Sequence, residues 1–386
     1  MNLVPEILAF ADDLTRIRRD IHAHPEIGFD EHRTAALVAD ALGEWGVQVH
    51  RGIGGTGVVG IIRGNGAGRR IGLRADMDAL PMDEASGVPH ASTRAGVFHG
   101  CGHDGHTTML LGAARYLSQT RRFGGEVVLV FQPAEEGLGG AARMLADGLF
   151  DRFPCDEIYG LHNWPNAPVG RISLKPGVAL AAADQFDITI TGRGAHGAQP
   201  QHAVDPVMVA SALAQALQTI VSRNVDPLRT AILSVTLMRA GTAHNVIPET
   251  AHLGGTIRTF DAGIRQLVAE RLEALAKGIA QGFGASATVR VDPRFSALVN
   301  SEAQAAAAME VARSLVGSLA QLDTDPLTGS EDFADMLAKV PGAYLLVGSG
   351  PGPALHNPAY DFNDAILPIG ASLLARLAEA RTAEAA

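Results

Sequence analysis

The feature that most constrains this chain is the run His99-Gly100-Cys101-Gly102-His103-Asp104-Gly105-His106, which passes directly into Thr107-Thr108-Met109-Leu110-Leu111-Gly112-Ala113-Ala114. Histidines, a cysteine and an aspartate crowd together there, with glycines loosening the backbone between them. The apolar stretch behind them reads as a buried helix reaching about Tyr116, with Asp104 at its N-cap. Cys101 and His103 are two apart, so an extended backbone turns both side chains to one side. A thiolate with an imidazole is a donor pair for zinc, and an acceptable one for cobalt, nickel or manganese. A buried cysteine beside surface histidines, or a helix-capping loop, is the plainer reading of the same residues. A metal site needs further donors, so the rest of the chain decides.

At 386 residues the chain exceeds what one hydrophobic core usually holds, and two domains are expected. No apolar run approaches the ~18 residues that span a bilayer. The segment from Met1 to Thr15 carries early acids and no basic start, so no signal peptide is expected. A net charge of −10 argues against nucleic acid or an anionic membrane as the partner. Only two cysteines, one of them in the cluster, leave no room for a disulfide framework. A soluble cytoplasmic protein is the expectation.

In chain order, residues 4–22 have helical periodicity, with Ile7, Leu8, Leu14, Ile17 and Ile21 on one face. Pro25 ends it in His22-Ala23-His24-Pro25-Glu26, and the two histidines are read as a surface turn rather than as ligands. A second helix is predicted over Glu31–Trp45, then short strands at Val47–Arg51, Gly57–Arg63 and Arg69–Arg74. The last strand delivers Asp76 and Asp78 to its carboxyl end, where open α/β sheets place their sites. Asp78 is read as capping the next turn. Asp76, nearer the strand, is read as orienting a ligand imidazole.

Gly125–Phe131 is a continuous apolar strand of the fully buried type, and it opens onto Gln132-Pro133-Ala134-Glu135-Glu136-Gly137. Adjacent glutamates at such a mouth repel unless a cation lies between them. Neighbours in sequence point different ways, so one can hold a metal while the other faces a reacting water. A short helix is expected over Gly139–Gly148. A strand at Glu157–Leu161 leads to His162, and one at Tyr344–Gly348 leads to His356. Cys101, His103, Glu136, His162 and His356 thus follow candidate strand ends, and five donors suit two metals rather than one.

Residues 184–293 have another rhythm: strand 185–191, helix 204–223 behind Asp205-Pro206, strands 230–238 and 250–259, helix 262–282 and strand 286–292. This β-α-β-β-α-β order is a ferredoxin-like α+β module, here interrupting an α/β domain. The expected architecture is a split catalytic domain, 1–183 and 295–386, carrying an inserted lid at 184–294. The lid has polar clusters around His196, Asn245 and Arg258. The tail returns through Gly329–Phe333, capping a helix, to a last helix from about Ala365 to Glu384.

Taken together, Arg74–Pro81, His99–Thr108, Gln132–Gly137, Gly160–Pro165, Gly329–Phe333 and His356–Asp364 resemble the M20 metallopeptidase family over nearly the whole chain. The resemblance is to its branch of hippurate hydrolases and auxin-conjugate amidohydrolases. Most of the family opens the site with His-x-Asp, whereas this chain has Arg74-Ala75-Asp76 and offers Cys101 and His103, a departure that characterises the branch. The resemblance implies that Cys101, His103, Glu136, His162 and His356 bind two divalent ions, zinc, manganese, cobalt or nickel. It implies that Glu135 is the general base, that His196 and Asn245 come from a lid, often a dimer partner's, and that Arg258 receives the substrate carboxylate.

The reaction so implied is hydrolysis of an N-acyl amino acid (acetyl, benzoyl or aryl-acyl) to a carboxylic acid and a free amino acid. A homodimer through the lid is expected. Two other readings stay open. A dipeptidase or carboxypeptidase on the same scaffold needs a group to recognise a free substrate amine. A non-catalytic module with a structural metal normally closes a four-ligand set, and five donors beside an unligated Glu135 fit catalysis better.

Overall fold

Four neighbouring parallel strands explain where the chemistry-bearing residues gather. In sheet order they are Glu126–Gln132, Arg70–Asp76, Glu157–Pro165 and Gly342–Gly350. Each is almost wholly buried, as continuous apolar runs such as Val127-Val128-Leu129-Val130-Phe131 require of strands covered on both faces. Parallel alignment brings all four carboxyl ends to one edge. At that edge lie Asp76, the Pro133–Glu136 turn, His162 and the loop that carries His356. Gln48–Ile53 and Gly57–Arg63 add an antiparallel pair on one side, and Ile172–Leu174 and Ala320–Leu322 close the other, making eight strands.

The computed structural model describes residues 1–383, and the chain divides into two compact units. The first comprises Met1–Ala179, Val299–Pro326 and the chain from Asp332 onward; the second comprises Leu180–Leu298 and Leu327–Glu331. The fold is thus a split α/β unit interrupted by an α+β unit. Leu327–Glu331, expected with the tail, belongs to the second unit because the Ala181 N–H meets the Leu327 and Gly329 carbonyls at 3.2 and 2.9 Å. The last helix runs Leu367–Thr382 behind a 3₁₀ turn; Glu384, its expected end, lies outside the described residues.

The second unit keeps the β-α-β-β-α-β order, with strands in the sequence Ala231–Ala240, Thr250–Thr259, Ala182–Thr191, Ser286–Phe295, all antiparallel. Phe186, Ile188 and Ile190 are buried while Gln185, Asp187 and Thr189 are exposed, the alternation of a sheet covered on one face. The covering helices are Pro206–Asn224 and Ala262–Gly282, capped by the Asp205 and Asp261 side chains.

In the first unit, the helix His103–Thr120 is buried nearly all round, which its apolar sequence permits. Its N-cap is Gly102 at φ +90°, not the expected Asp104, which sits in the first turn. A side chain at residue 102 is excluded twice over: the dihedral is left-handed, and a Cβ would come within 2.4 Å of Asn163 Nδ2. The expected helix over 4–22 is two pieces, Pro5–Ala9 and Ala11–Ala23.

His22 departs most from the sequence reading. It is fully buried rather than in a surface turn; only His24 is exposed. Its ring hydrogen-bonds Asp104 Oδ2 at 2.8 Å and Glu84 Oε1 at 3.2 Å, beside a buried Arg18 that pairs with Asp361 and Asp364 at 3.0 and 2.7 Å. Burial opposes charge on His22, but the bonds to Asp104 and Glu84 outweigh it and push its pKa up to about 9. The folded protein therefore holds a proton that the unfolded chain releases near pH 6.5. That stabilisation is complete below about pH 6.5 and is lost as pH rises through about 9. Urea titrations should show stability falling across this window, with up to about 3 kcal/mol traceable to His22. His22→Gln should flatten the slope and cost more stability at pH 6 than at pH 9.5; an unchanged slope would place its origin elsewhere.

Candidate active site

Cys101 lies in the loop that the first turn of the central helix terminates, and His103 opens that helix. His162 lies inside the strand Glu157–Pro165 rather than beyond it. Despite these different supports the five expected donors converge. Ligand atoms of Cys101, His103 and His162 lie within 4.8 Å of one another, as do those of Cys101, Glu136 and His356. Cys101 is common to both groups, so the donors form two adjoining sites. A third group joins His103 and Glu136 to Glu135, placing the proposed base against the same centre.

The His162 and His103 imidazoles are aimed through their other nitrogen, and His356 is placed by its backbone. His162 Nδ1 donates to the Asn163 carbonyl at 2.7 Å, leaving Nε2 facing Cys101 Sγ at 3.5 Å. His103 Nδ1 meets Asp78 Oδ1 at 3.2 Å, leaving Nε2 toward Glu136. The His356 N–H donates to the Gly100 carbonyl at 2.8 Å, which ties that loop to the Cys101 loop while the residue holds φ +61°. His356 Nε2 then lies 3.2 Å from Glu136 Oε1.

Asp76 and Asp78 divide the work differently from the sequence reading. Asp78 is no turn cap: one oxygen holds His103 and the other accepts the Glu136 N–H at 2.9 Å, so it joins two candidate donors. Asp76 Oδ1 pairs with His106 Nδ1 at 2.7 Å, and its Oδ2 with Arg74 at 2.7 Å. His106 Nε2 in turn accepts the Asn163 N–H at 3.0 Å. Both His106 nitrogens are thereby engaged; the imidazole that Asp76 hydrogen-bonds is thus not one of the five donors, although its Oδ2 also lies 3.9 Å from Nε2 of the donor His103.

Asn163, which sequence reasoning left without a role, is the hub. Its side chain donates to the Cys101 carbonyl at 2.7 Å and accepts the Tyr360 hydroxyl at 2.8 Å, while its backbone holds His106 and His162. The only sequence signal was its place beside His162 at a strand end.

The electrostatics fit a cation. His103 Nε2 is buried and makes no hydrogen bond, a costly state for a polar atom, and Glu136 Oε1 stands 3.9 Å from it. Burial and the nearby Glu136 push the Cys101 thiol up, and burial pushes His162 down, so both favour their neutral forms in isolation. Hydrogen bonds to Cys101 and Glu136 push His356 up to about 10. A divalent ion reverses this logic by favouring thiolate and neutral imidazole. The donor set of one sulfur, imidazole nitrogens and carboxylate fits such an ion.

His196, Asn245 and Arg258 belong to the second unit. His196 pairs with Val246 across two short antiparallel strands, and the Asn245 carbonyl accepts the Gly197 N–H at 2.8 Å, so these two expected residues are neighbours. His196 Nδ1 accepts the Ala198 N–H at 3.0 Å, which leaves the ring proton of the neutral form on Nε2. Arg258 projects from the strand Thr250–Thr259, its guanidinium bonded to the Thr256 hydroxyl and the Ile257 carbonyl. Burial lowers its pKa.

Comparison with known proteins agrees with this geometry. The model of peptidase family M20/M25/M40 matches residues 72–380. Hippurate hydrolase of Campylobacter jejuni is 43% identical over 379 residues, 98% of this chain and 99% of that protein. N-acetyl-L-cysteine deacetylase of Bacillus subtilis is 41% identical over 352 residues, 91% of this chain and 84% of that one. The crystal structure of the Bacillus subtilis YXEP protein, a dinuclear metal binding peptidase from the M20 family, superposes with a TM-score of 0.83 at 35% identity, covering 96% of this chain and 98% of that one. With a match that begins in the strand Arg70–Asp76, ends in the last helix and spans all five candidate donors, this chain belongs to peptidase family M20/M25/M40.

Proposed function

We propose that this protein is a metal-dependent amidohydrolase that cleaves N-acyl amino acids to a carboxylic acid and a free amino acid. The observation that carries the reading is the convergence of five donors on one centre, buried at Cys101 and His103 and open at His356, that also receives Glu135. Relatives acting on hippurate and on N-acetyl-L-cysteine support it, since each is an amide of an amino acid. Cys101, His103, Glu136, His162 and His356 would hold two divalent ions, for which zinc, manganese, cobalt and nickel are the candidates. Such ions, when bound, polarise an amide carbonyl and acidify water.

The chain's own residues do the rest. Glu135 takes the proton of the attacking water and passes it to the departing amine nitrogen, which otherwise leaves as an unstable anion. Asp78 fixes the His103 ring and the Glu136 backbone together, and Asn163 fixes the Cys101 loop to His162. His196 offers its Nε2–H to the carbonyl oxygen as negative charge develops there. Asn245 binds substrate beside it, and the half-buried Arg258 takes the substrate's free carboxylate as a two-pronged donor.

The inserted unit acts as lid and dimerisation domain. Its edge strand Ala231–Ala240 is paired on one side only, and Leu237 and Met238 on it are exposed. Such an edge suits two-fold pairing with a second copy.

Turnover of hippurate and N-acetyl amino acids, with released amino acid quantified and dipeptides as the contrast, tests the activity; dipeptide cleavage alone would overturn it. Glu135→Gln should keep both metals and lose kcat by several orders of magnitude, and near-normal kcat would remove Glu135 as the base. Cys101→Ala should lose at least one metal by elemental analysis, because no other side chain there supplies a thiolate. Full occupancy with full activity would take Cys101 out of the site.

The dimer is tested by complementation. His196→Ala and Glu135→Gln should each be almost inactive. Refolded together in equal amounts, about half the dimers are mixed, each with one working site, giving roughly a quarter of wild-type activity. Mixed dimers seen by mass measurement without any recovered activity would confine His196 to its own chain.

A further inference from the structure

The segment that carries His22 and His24 ends in an acid that the proposed chemistry does not use. Glu31, just before the helix His32–Glu44, is fully buried. Its Oε1 accepts the Ala134 N–H at 2.8 Å, and its Oε2 accepts the Thr56 hydroxyl at 2.5 Å. Ala134 immediately precedes the two glutamates of the site. It holds φ +55°, in the left-handed region that a residue with a Cβ disfavours. Its carbonyl accepts the Gly140 N–H at 3.0 Å, so the residue is gripped at both of its polar groups. Gly28 packs directly on it: a Cβ there would stand 2.8 Å from Ala134 Cα.

A left-handed residue reverses the path of the chain, and its dihedral decides where the next two side chains go. Without its grip, Ala134 would relax toward the right-handed or extended regions that alanine prefers, and Glu135 and Glu136 would swing from their places. We propose that Glu31 is a positioning residue, which locks Ala134 in the left-handed conformation and so aims the Glu135 and Glu136 carboxylates at the metal-binding cluster. The proposal rests on the reading of Glu135 as the base. Burial, with Asp78 adding to it, pushes the Glu31 carboxyl up to about 7. The lock survives protonation, because a proton on Oε2 turns that oxygen into a donor to Thr56 while Oε1 still accepts from Ala134. Glutamine reproduces that arrangement, and leucine fills a similar volume with no acceptor.

The test compares Glu31→Gln, Glu31→Leu, Ala134→Gly, the Glu31→Leu/Ala134→Gly pair and Glu135→Gln, each purified with its metals. Metal content and melting temperature are measured beside kcat and KM. Glu31→Leu should keep both metals and lose kcat by about ten- to a hundred-fold, with KM within about two-fold, the scale of a misplaced catalytic group. Glu31→Gln should retain most of kcat. Glycine takes φ +55° freely, so adding Ala134→Gly to Glu31→Leu should recover at least about three-fold in kcat. Three results would overturn the proposal: kcat of Glu31→Leu within two-fold of wild type, a double variant no better than Glu31→Leu, or a fall in kcat that merely tracks lost metal or lost folded protein. Glu135→Gln separates the two readings. If it is inactive while Glu31→Leu is fully active, only the lock is wrong; if it is active, the base itself is misassigned.

Discussion

His103 Nε2 is buried with no hydrogen bond, 3.9 Å from Glu136 Oε1 and 3.9 Å from Asp76 Oδ2, and much of the first unit is built to keep it there. An imidazole nitrogen left dry beside carboxylates is costly unless something charged lies against it. The carboxylates around it are held by other partners. Asp78 holds the far side of His103 and the backbone of Glu136, and Asp76 is spent on His106 and Arg74. A divalent ion would answer the same need, at the expense only of the contacts that Cys101, Glu136, His162 and His356 make with one another.

Holding that geometry requires strands that end together. Four parallel strands supply the common edge, and the central helix supplies a rigid start for His103. Between them Asn163 works as a spacer with a fixed length: its amide joins the Cys101 carbonyl to Tyr360, while its backbone steers His106 and His162. Gly102 completes the fit, since no side chain could occupy the gap between Asn163 and Tyr360.

Patterning in the sequence was enough for most of the buried parallel strands and for the second unit, and it set five donors at strand ends, whereas the strands Ile172–Leu174 and Ala320–Leu322 and the helix Glu302–Val316 went unread. A continuous apolar run marked the buried strand after Gly125, and the β-α-β-β-α-β order marked the second unit. What failed was the partnering of short polar residues across long sequence distances. Asp76 and Asp78 sit two apart, and which imidazole each meets depends on how the chain turns after the strand ends. His22 looked like a surface histidine because Pro25 follows it, yet Asp104, eighty-two positions on, supplies a buried counter-charge. The Asp104 N-cap was a sound local reading, but the tight passage past Asn163 gives the cap to Gly102 instead. Leu327–Glu331 was assigned by its sequence neighbours and joined the other unit through bonds to Ala181.

Arg74 shows why the donors are the ones they are. It stands fully buried at the end of a parallel strand, a place that suits a ligand, but a guanidinium has no lone pair to give. It is instead a permanent cation, held by Asp76 at 2.7 Å, Gln132 at 2.8 Å and Asp332 at 3.3 Å, with its plane 5.4 Å from the Phe333 ring. Asp332 also accepts the Ala141 N–H at 2.9 Å, fixing the start of the helix that follows the glutamate turn. Against its burial, the charges of His103 and then of Arg74 and His106 hold the Asp76 carboxyl well below its usual range, and ionised Asp76 in turn fixes the His106 tautomer and, through Asn163, the orientation of His162. With this strand end taken by a cation, the candidate donor nearest to it comes from the loop beside it. Cys101 suits that part, because a thiolate brings a full negative charge from a short side chain that the close backbone around Gly100 and Gly102 can accommodate.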